Sequence, residues 1–345
     1  MVVVVTAERD TRAIAELTAG LAKKRVFQPF RTALYTPEEL YDRFDPDRPS
    51  SYLDCTDWRT FVSYVAVDRN DRPVRPRQYL PVGLDEHLAR RLHDHFIVNE
   101  LNDFLATCTP PIKRGVVAMM GGHDVPRGRG LYQTVARLAR DLTRDGFLLA
   151  TGGGPGLMEA TNLGAWLATA SDQRFEAAID QLAAAPLSTD ADWLSVAWRV
   201  RAETTPTDQV ACASLGVPTW FYGHEPPNVF ATHIAKYFEN SLREEGLLAI
   251  ASHGVIFAPG NAGTVQEIFQ DACQNYYATY GYASPMVLFD GGYWNPGDPS
   301  VEGAKPVWPL LSALATEKGI VHLLTLTSSA DEARRCILDF RPPSN

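Results

Sequence analysis

Two apolar stretches that run straight into glycine-rich turns, about a hundred residues apart, constrain this chain most. The first, FLLATGGGPGLMEATNLGA, turns at Gly152, Gly153, Gly154, Pro155 and Gly156. The second, GVIFAPGNAGTVQEIFQDA, turns at Pro259, Gly260, Asn261, Ala262, Gly263 and Thr264. Each passes from a buried-strand pattern into an amphipathic-helix pattern. Such a turn sets free backbone N–H groups and the positive end of a helix beside the carboxyl edge of a parallel sheet, where an anion is well held. Glycine lets the backbone turn sharply and approach a ligand closely. Two such turns on one sheet point to a phosphorylated small molecule.

The remaining pattern fits that frame. From Lys113 onward, apolar runs alternate with helical periodicity: GVVAMMGG, FLLATGGG, VPTWFY, GVIFAPG, SPMVLFDG and IVHLLTLTSS read as strands covered on both faces. Leu131, Val135, Leu138, Ala139 and Leu142 form one helical stripe between two of them. The expectation is an α/β chain with a doubly wound, Rossmann-like parallel sheet over residues 113–345. The stretch from Ala168 to Arg201 reads as inserted helices. Residues 1–112 read as an additional α+β region, accessory to that domain. It contains a candidate hairpin turning at Asp68–Asp71, a helix with Leu84, Leu88, Leu92, Phe96 and Leu101 on one stripe, and a break at Thr109–Pro110–Pro111.

Composition narrows the partners. A formal net charge of −9 over 345 residues disfavours a nucleic-acid polymer, which calls for a basic surface. The five cysteines (Cys55, Cys108, Cys212, Cys273 and Cys336) are scattered and unpaired in sequence, which fits neither a disulfide framework nor a metal site. The opening MVVVVTAERD is too short for a signal peptide, and no apolar run approaches the roughly 18 residues of a membrane span. A cytoplasmic location with no membrane partner is therefore expected.

The loops also limit the chemistry. The dinucleotide fingerprint G-x-G-x-x-G is absent, because Glu159 stands where its last glycine belongs. The phosphate loop of NTPases is absent too, since Gly263–Thr264 comes without its lysine. A monophosphate fits better, with no further cofactor. Glu267 follows the second turn and points away from the helix's apolar face, on which Cys273 reads as packing. It suits a carboxylate that stabilises positive charge on a sugar or activates water. Thr264–Glu267 equally reads as a capping box, and both readings stay open.

Glu159 has the same two faces, a dipole-favoured acid at a helix start or a grip on ribose hydroxyls. A helix from about Ala231 would put His233, Lys236, Asn240 and Arg243 on one polar face, solvated or turned with its first residues toward phosphate. Gly122 and His123 end the first strand of the sheet, and Gly223 to Asn228 follow another strand end, so both segments line the same crevice. Arg127 and Arg129 read as solvated.

PGNAGTVQE resembles the PGGxGTxxE motif of the LONELY GUY family, often mislabelled lysine decarboxylases, and GGGPGLMEA resembles its GGGxxGxM element. GGHDV and EPPN look more like the nucleotide 5′-monophosphate nucleosidase branch. The resemblance spans about residues 113–330. It implies a phosphoribohydrolase: water cleaves the N-glycosidic bond of a nucleoside monophosphate, giving free base and ribose 5-phosphate. It also implies a homodimer or a larger even assembly. Glu267 matches the motif's catalytic glutamate, and Gly260, Gly263 and Thr264 match its phosphate loop. Two departures stand out. Asn261 replaces the second glycine, and the family's catalytic arginine, counted back from Pro259, falls on Glu244, with Arg243 one residue away and His233 or Lys236 as substitutes. Those departures motivate the alternative, a nucleotide or cofactor carrier without turnover; a sensor whose N-terminal region transmits nucleotide occupancy to a partner is a third reading. A pyridoxal decarboxylase is not supported, because no Schiff-base lysine with phosphate and pyridine partners is found.

Overall fold

A central strand with two outward-winding halves organises the molecule, and it places the two glycine turns side by side. The computed structural model describes residues 16, 19–21, 23–74, 79–107, 114–221, 225–297 and 303–343. The opening valines, Cys108, the Thr109–Pro110–Pro111 break, Lys113, Gly223 and His224 lie outside those residues, as do four residues of the candidate hairpin.

Seven parallel strands form one sheet: β1 (Gly115–Met120), β2 (Phe147–Thr151), β3 (Ser214–Gly216), β4 (His233–Ile234), β5 (Val255–Phe257), β6 (Met286–Phe289) and β7 (Leu324–Thr327). Their spatial order is β4-β3-β2-β1-β5-β6-β7. The chain therefore winds outward from β1 to β4, returns to the other side of β1, and winds outward again. In register, Val117 pairs with Leu149 on one flank, and Met119 pairs with Ile256 on the other. β2, β5 and β6 are buried throughout, as expected for strands with helices on both faces. This is a doubly wound, Rossmann-like α/β fold. Its topological switch point lies between the carboxyl ends of β1 and β5, where such sheets open a crevice.

Helices form where the sequence carries period-3.6 apolar stripes. In Leu131–Arg144 the expected positions Val135, Leu138, Ala139 and Leu142 are buried. The inserted segment forms two helices, Asp172–Leu182 and Trp193–Glu203. The long N-terminal helix Leu84–Thr107 is present, but its buried face is Ala89, His93, Asp94, Ile97 and Leu101. Leu84 stays exposed, because this helix packs a polar pair inward that an apolar stripe does not announce.

Other expectations are corrected. VPTWFY is not a strand; the strand lies just upstream at Ser214–Gly216. The candidate hairpin survives as antiparallel bridges Val65–Tyr79 and Val67–Pro73, while Thr60 to Val62 belong to a short helix. No helix starts near Ala231. That segment supplies β4, whose outer side is met by Tyr35: the two residues Tyr35 and Ile234 exchange backbone hydrogen bonds of 2.9 and 2.8 Å. A residue from the N-terminal region thus pairs with a short edge strand that would otherwise present open N–H and C=O groups. One continuous set of buried side chains runs from Phe27 to Ile337, so the N-terminal residues share the sheet's core.

Candidate functional site

The switch point holds a cavity of about 170 Å³ lined from five segments, with Gly122 and His123 after β1, Gly152 and Gly154 after β2, and Asn261, Gly263, Thr264 and Glu267 after β5. Thr219, Glu225 and Arg243 complete its polar lining. Backbone closeness makes this geometry possible. Gly122 N–H donates to the Pro259 carbonyl at 2.9 Å, and the Gly122 carbonyl accepts from Leu157 N–H at 3.0 Å, which ties the ends of β1, β2 and β5 together.

Two glycines are required by this closeness. Gly156 adopts a φ of +66°, and a β-carbon there would stand 2.3 Å from the Gly122 carbonyl oxygen. A β-carbon on Gly260 would stand 2.2 Å from Thr264 Oγ1. Both contacts are far below van der Waals distance. Gly156→Ala is accordingly expected to cost at least about 1–3 kcal/mol from backbone strain alone, read as a lower urea midpoint. A wild-type midpoint would remove this account of the loop.

The helix Ala262–Tyr277 begins with Asn261 at its N-cap position, yet the asparagine side chain makes no capping hydrogen bond. Its amide instead donates to Asp124 Oδ2 at 3.2 Å. The first N–H groups of the helix, at Ala262, Gly263 and Thr264, have no intrahelical acceptor and stand at its positive end. Asn261 therefore does not obstruct the turn. Thr264 is the third helical residue, so it is not an N-cap, and Glu267 is not part of a capping box.

Glu267 points into the cavity and meets Arg243 from the helix Asn240–Ala249, with Nη1 to Oε1 at 3.2 Å. Both side chains are 13% exposed, shielded from bulk water yet reachable from the cavity. Burial raises the Glu267 carboxyl to about 7; Arg243 opposes that rise and Glu244 adds to it. Arg243 also borders the first loop, since a β-carbon on Gly152 would lie 3.8 Å from its Nη1. Glu244, the position found by counting, turns aside and accepts from Gln266 at 2.9 Å.

Across the cavity, Glu225 Oε1 lies 3.7 Å from His123 Nδ1. Burial raises the Glu225 carboxyl, with His123 and Arg243 opposing. Glu225 was not singled out from sequence; its signals were membership of the segment Gly223 to Asn228 and of the EPPN motif. Among the described residues no group of three or more His, Cys, Asp or Glu side chains could hold a metal, and no helix is long and apolar enough to cross a membrane.

No protein-family profile matches the sequence, and no curated protein does. Among solved structures, the chain is similar to the molybdenum cofactor carrier protein from Chlamydomonas reinhardtii, at 13% identity and a TM-score of 0.38, over 66% of this chain and 97% of that one. It is similar to the molybdenum cofactor binding protein from Rippkaea orientalis, at 12% identity and 0.38, over 66% and 97%. It is also similar to the structural-genomics target TM1055, at 15% identity and 0.38, over 65% and 99%.

Several residues expected at the site lie elsewhere. Glu159 is fully buried; its carboxylate takes a two-point ion pair from Arg127 at 2.7 and 2.6 Å and a hydrogen bond from Tyr132 at 3.0 Å. It has no exposed edge for ribose, and Arg127 is buried rather than solvated. Asn228 is also fully buried. Its amide donates to the Gly154 carbonyl at 3.1 Å and to Asn162 Oδ1 at 2.9 Å, and its N–H donates to the Gly153 carbonyl at 2.8 Å. It clamps the glycine turn from behind.

Lys236 is buried against Asp57 and the Trp220 ring, because the segment expected to be helical is extended here and sends the side chain inward. His233 stacks on Phe104, ring centroids 4.3 Å apart, beside a separate cavity of about 890 Å³ at the amino ends of β3 and β4. His233 is therefore at the opposite end of the sheet from the loops, and Lys236, past the carboxyl end of β4, is occupied by Asp57. Pro155 is buried in the first turn, and Ala262 is exposed at the helix start. Cys273, expected in the core, is exposed.

Proposed function

We propose that the chain is a nucleoside 5′-monophosphate phosphoribohydrolase. One observation carries the reading: the Arg243–Glu267 pair faces a cavity bounded by both glycine turns at the switch point of the sheet. Phosphate would be held by the N–H groups of Ala262, Gly263 and Thr264 with the Thr264 hydroxyl, and the turn at Gly152–Gly156 would close around the ribose. Water attacks C1′ while the N-glycosidic bond breaks and its electron pair goes to the base nitrogen. The hydroxyl stays on the sugar, and the water's proton is taken by Glu267 and passed on to the departing base. As a carboxylate, Glu267 also stabilises the oxocarbenium-like charge on the ring. Arg243 offsets the ligand's negative charge and keeps part of Glu267 ionised near neutrality.

At about 170 Å³ the cavity is smaller than the roughly 300–1,000 Å³ that encloses a drug-sized ligand. It suits a sugar phosphate, with the base lying toward the exposed side near His123. The carrier alternative rested on Asn261 and on the arginine missing by count. Asn261 turns toward Asp124, and Arg243 stands beside Glu267, so neither feature now favours it.

The test is chromatography of the protein with purine, pyrimidine and cytokinin nucleoside monophosphates. Release of free base with ribose 5-phosphate supports the hydrolase. Tight binding with every nucleotide intact would replace it with the carrier. A pH profile adds a second check. Because Glu267 acts ionised, and burial places its carboxyl at about 7, kcat/KM of the free enzyme rises with pH through a midpoint near that value. A profile flat from pH 5 to 8 would separate Glu267 from the chemistry.

A further inference from the structure

The helix that carries Arg243 is anchored from outside the sheet domain. Its N-cap residue, Glu239, makes no capping hydrogen bond with its own side chain. The two consecutive N–H groups that lead into the helix, those of Phe238 and Glu239, donate instead to the two carboxylate oxygens of Asp94, at 2.9 and 3.0 Å. Asp94 sits on the N-terminal helix Leu84–Thr107, 144 residues from Phe238 in sequence, and is 1% exposed.

Asp94 is itself held. His93 is fully buried, and burial keeps its imidazole below its ordinary pKa, with Asp94 opposing. The neutral ring fits its two partners in one arrangement: Nδ1–H donates to Asp94 Oδ1 at 3.0 Å, and Nε2 accepts from the Tyr35 hydroxyl at 2.8 Å. Tyr35 is in turn fixed by its backbone pairing with Ile234 of β4. Each group in this chain has lost its water and gained a partner, and such a buried polar network admits few alternative geometries. Arg243 lies four residues beyond Glu239, about 6 Å along the helix axis and roughly one turn. A shift at the clamp would be felt one helical turn away at the guanidinium.

We propose that Tyr35, His93 and Asp94 form a positioning device by which the N-terminal region holds Arg243 against Glu267. Tyr35 and the helix Leu84–Thr107 are then part of the site's construction, although none of the three residues touches the cavity. The inference rests on the reading of Arg243 and Glu267 as the working pair, but its test reads the pair directly rather than turnover.

The experiment is an NMR titration of the Glu267 carboxyl in the full-length, carbon-13 glutamate-labelled protein, with the resonance assigned from Glu267→Gln. Charged groups around Glu267 are Arg243 and Glu244 on the neighbouring helix, with Glu225 and His123 across the cavity, and all remain in place in the variants at the clamp. In Asp94→Asn one oxygen becomes an N–H donor facing a backbone N–H, so the clamp opens. With Arg243 displaced, the Glu267 midpoint should rise by about one pH unit, the scale set by loss of a nearby opposite charge. Tyr35→Phe should move it in the same direction by less, and it decides the matter if Asp94→Asn does not fold.

In an Arg243→Ala background neither substitution should move Glu267 further. An unchanged midpoint in the folded variants, or equal shifts with and without Arg243, overturns the proposal. If the wild type releases no base, the proposed reaction fails while the titration still decides the positioning.

Discussion

Glu267→Gln is expected to slow base release by about 10²–10⁴-fold, the usual contribution of a positioned acid or base, while nucleotide affinity stays the same or improves. Glutamine keeps the size of the side chain and an oxygen that can still accept from Arg243, so the pair at 3.2 Å need not come apart. What it loses is the negative charge that, in the proposed reaction, stabilises the oxocarbenium-like ring, and the basic oxygen that would take a proton from water. That loss corresponds to roughly 3–5 kcal/mol of transition-state stabilisation. Ground-state binding is different, because the carboxylate shares a small cavity with the proposed phosphate and repels it. Single-turnover base release, with calorimetric affinity for the same nucleotide, separates the two effects. Parallel losses of rate and affinity would make Glu267 a binding residue, and full turnover would remove it from the reaction.

The part of this architecture that depends on local sequence was legible. Continuous apolar runs ending in glycine announce parallel strands and close backbone approach, and β1, β2, β5 and β6 lie where those runs predict; β7 lies in its run without a glycine turn after it. The pairing of Glu267 with Arg243 was only half legible. A count back from Pro259 favours Glu244, and it takes the actual helix, starting at Asn240, to turn Arg243 inward and Glu244 toward Gln266.

The segment from Ala231 misled because His233, Lys236, Asn240 and Arg243 fall at helical spacing by coincidence. Pairing of β4 with β3 and Tyr35 overrides that local periodicity. The polar groups that fasten the molecule were the least legible. His93 and Asp94 look like surface residues of a polar helix, and Lys236 and Asp57 lie 179 residues apart. No periodicity reveals a buried charge whose partner comes from another part of the chain.

Arg127→Met should show the largest loss of stability among these predictions, about 3–5 kcal/mol, because it strands a charge inside the protein. Arg127 and Glu159 are 4% and 0% exposed, and the guanidinium meets both carboxylate oxygens. The same guanidinium donates to the backbone carbonyls of Ala185 and Trp193 at 3.2 and 2.9 Å and lies 4.5 Å from the Trp193 ring. It thereby bolts the inserted helices to the helix that begins at the first glycine turn.

Methionine fills much of the space but leaves Glu159 with Tyr132 as its remaining partner from this set. Adding Glu159→Gln should restore most of the loss, since a neutral amide is far less costly to bury than an unpaired carboxylate. Urea unfolding of the two single variants and the double variant measures that coupling. Recovery in the double variant assigns Glu159 to the fold. Equal destabilisation in the single and double variants would mean that the carbonyl and Trp193 contacts of Arg127, not its charge pairing, hold the insert in place. Under either outcome nucleotide affinity per folded molecule should stay near wild type, because this pair lies behind the glycine turn and not in the cavity.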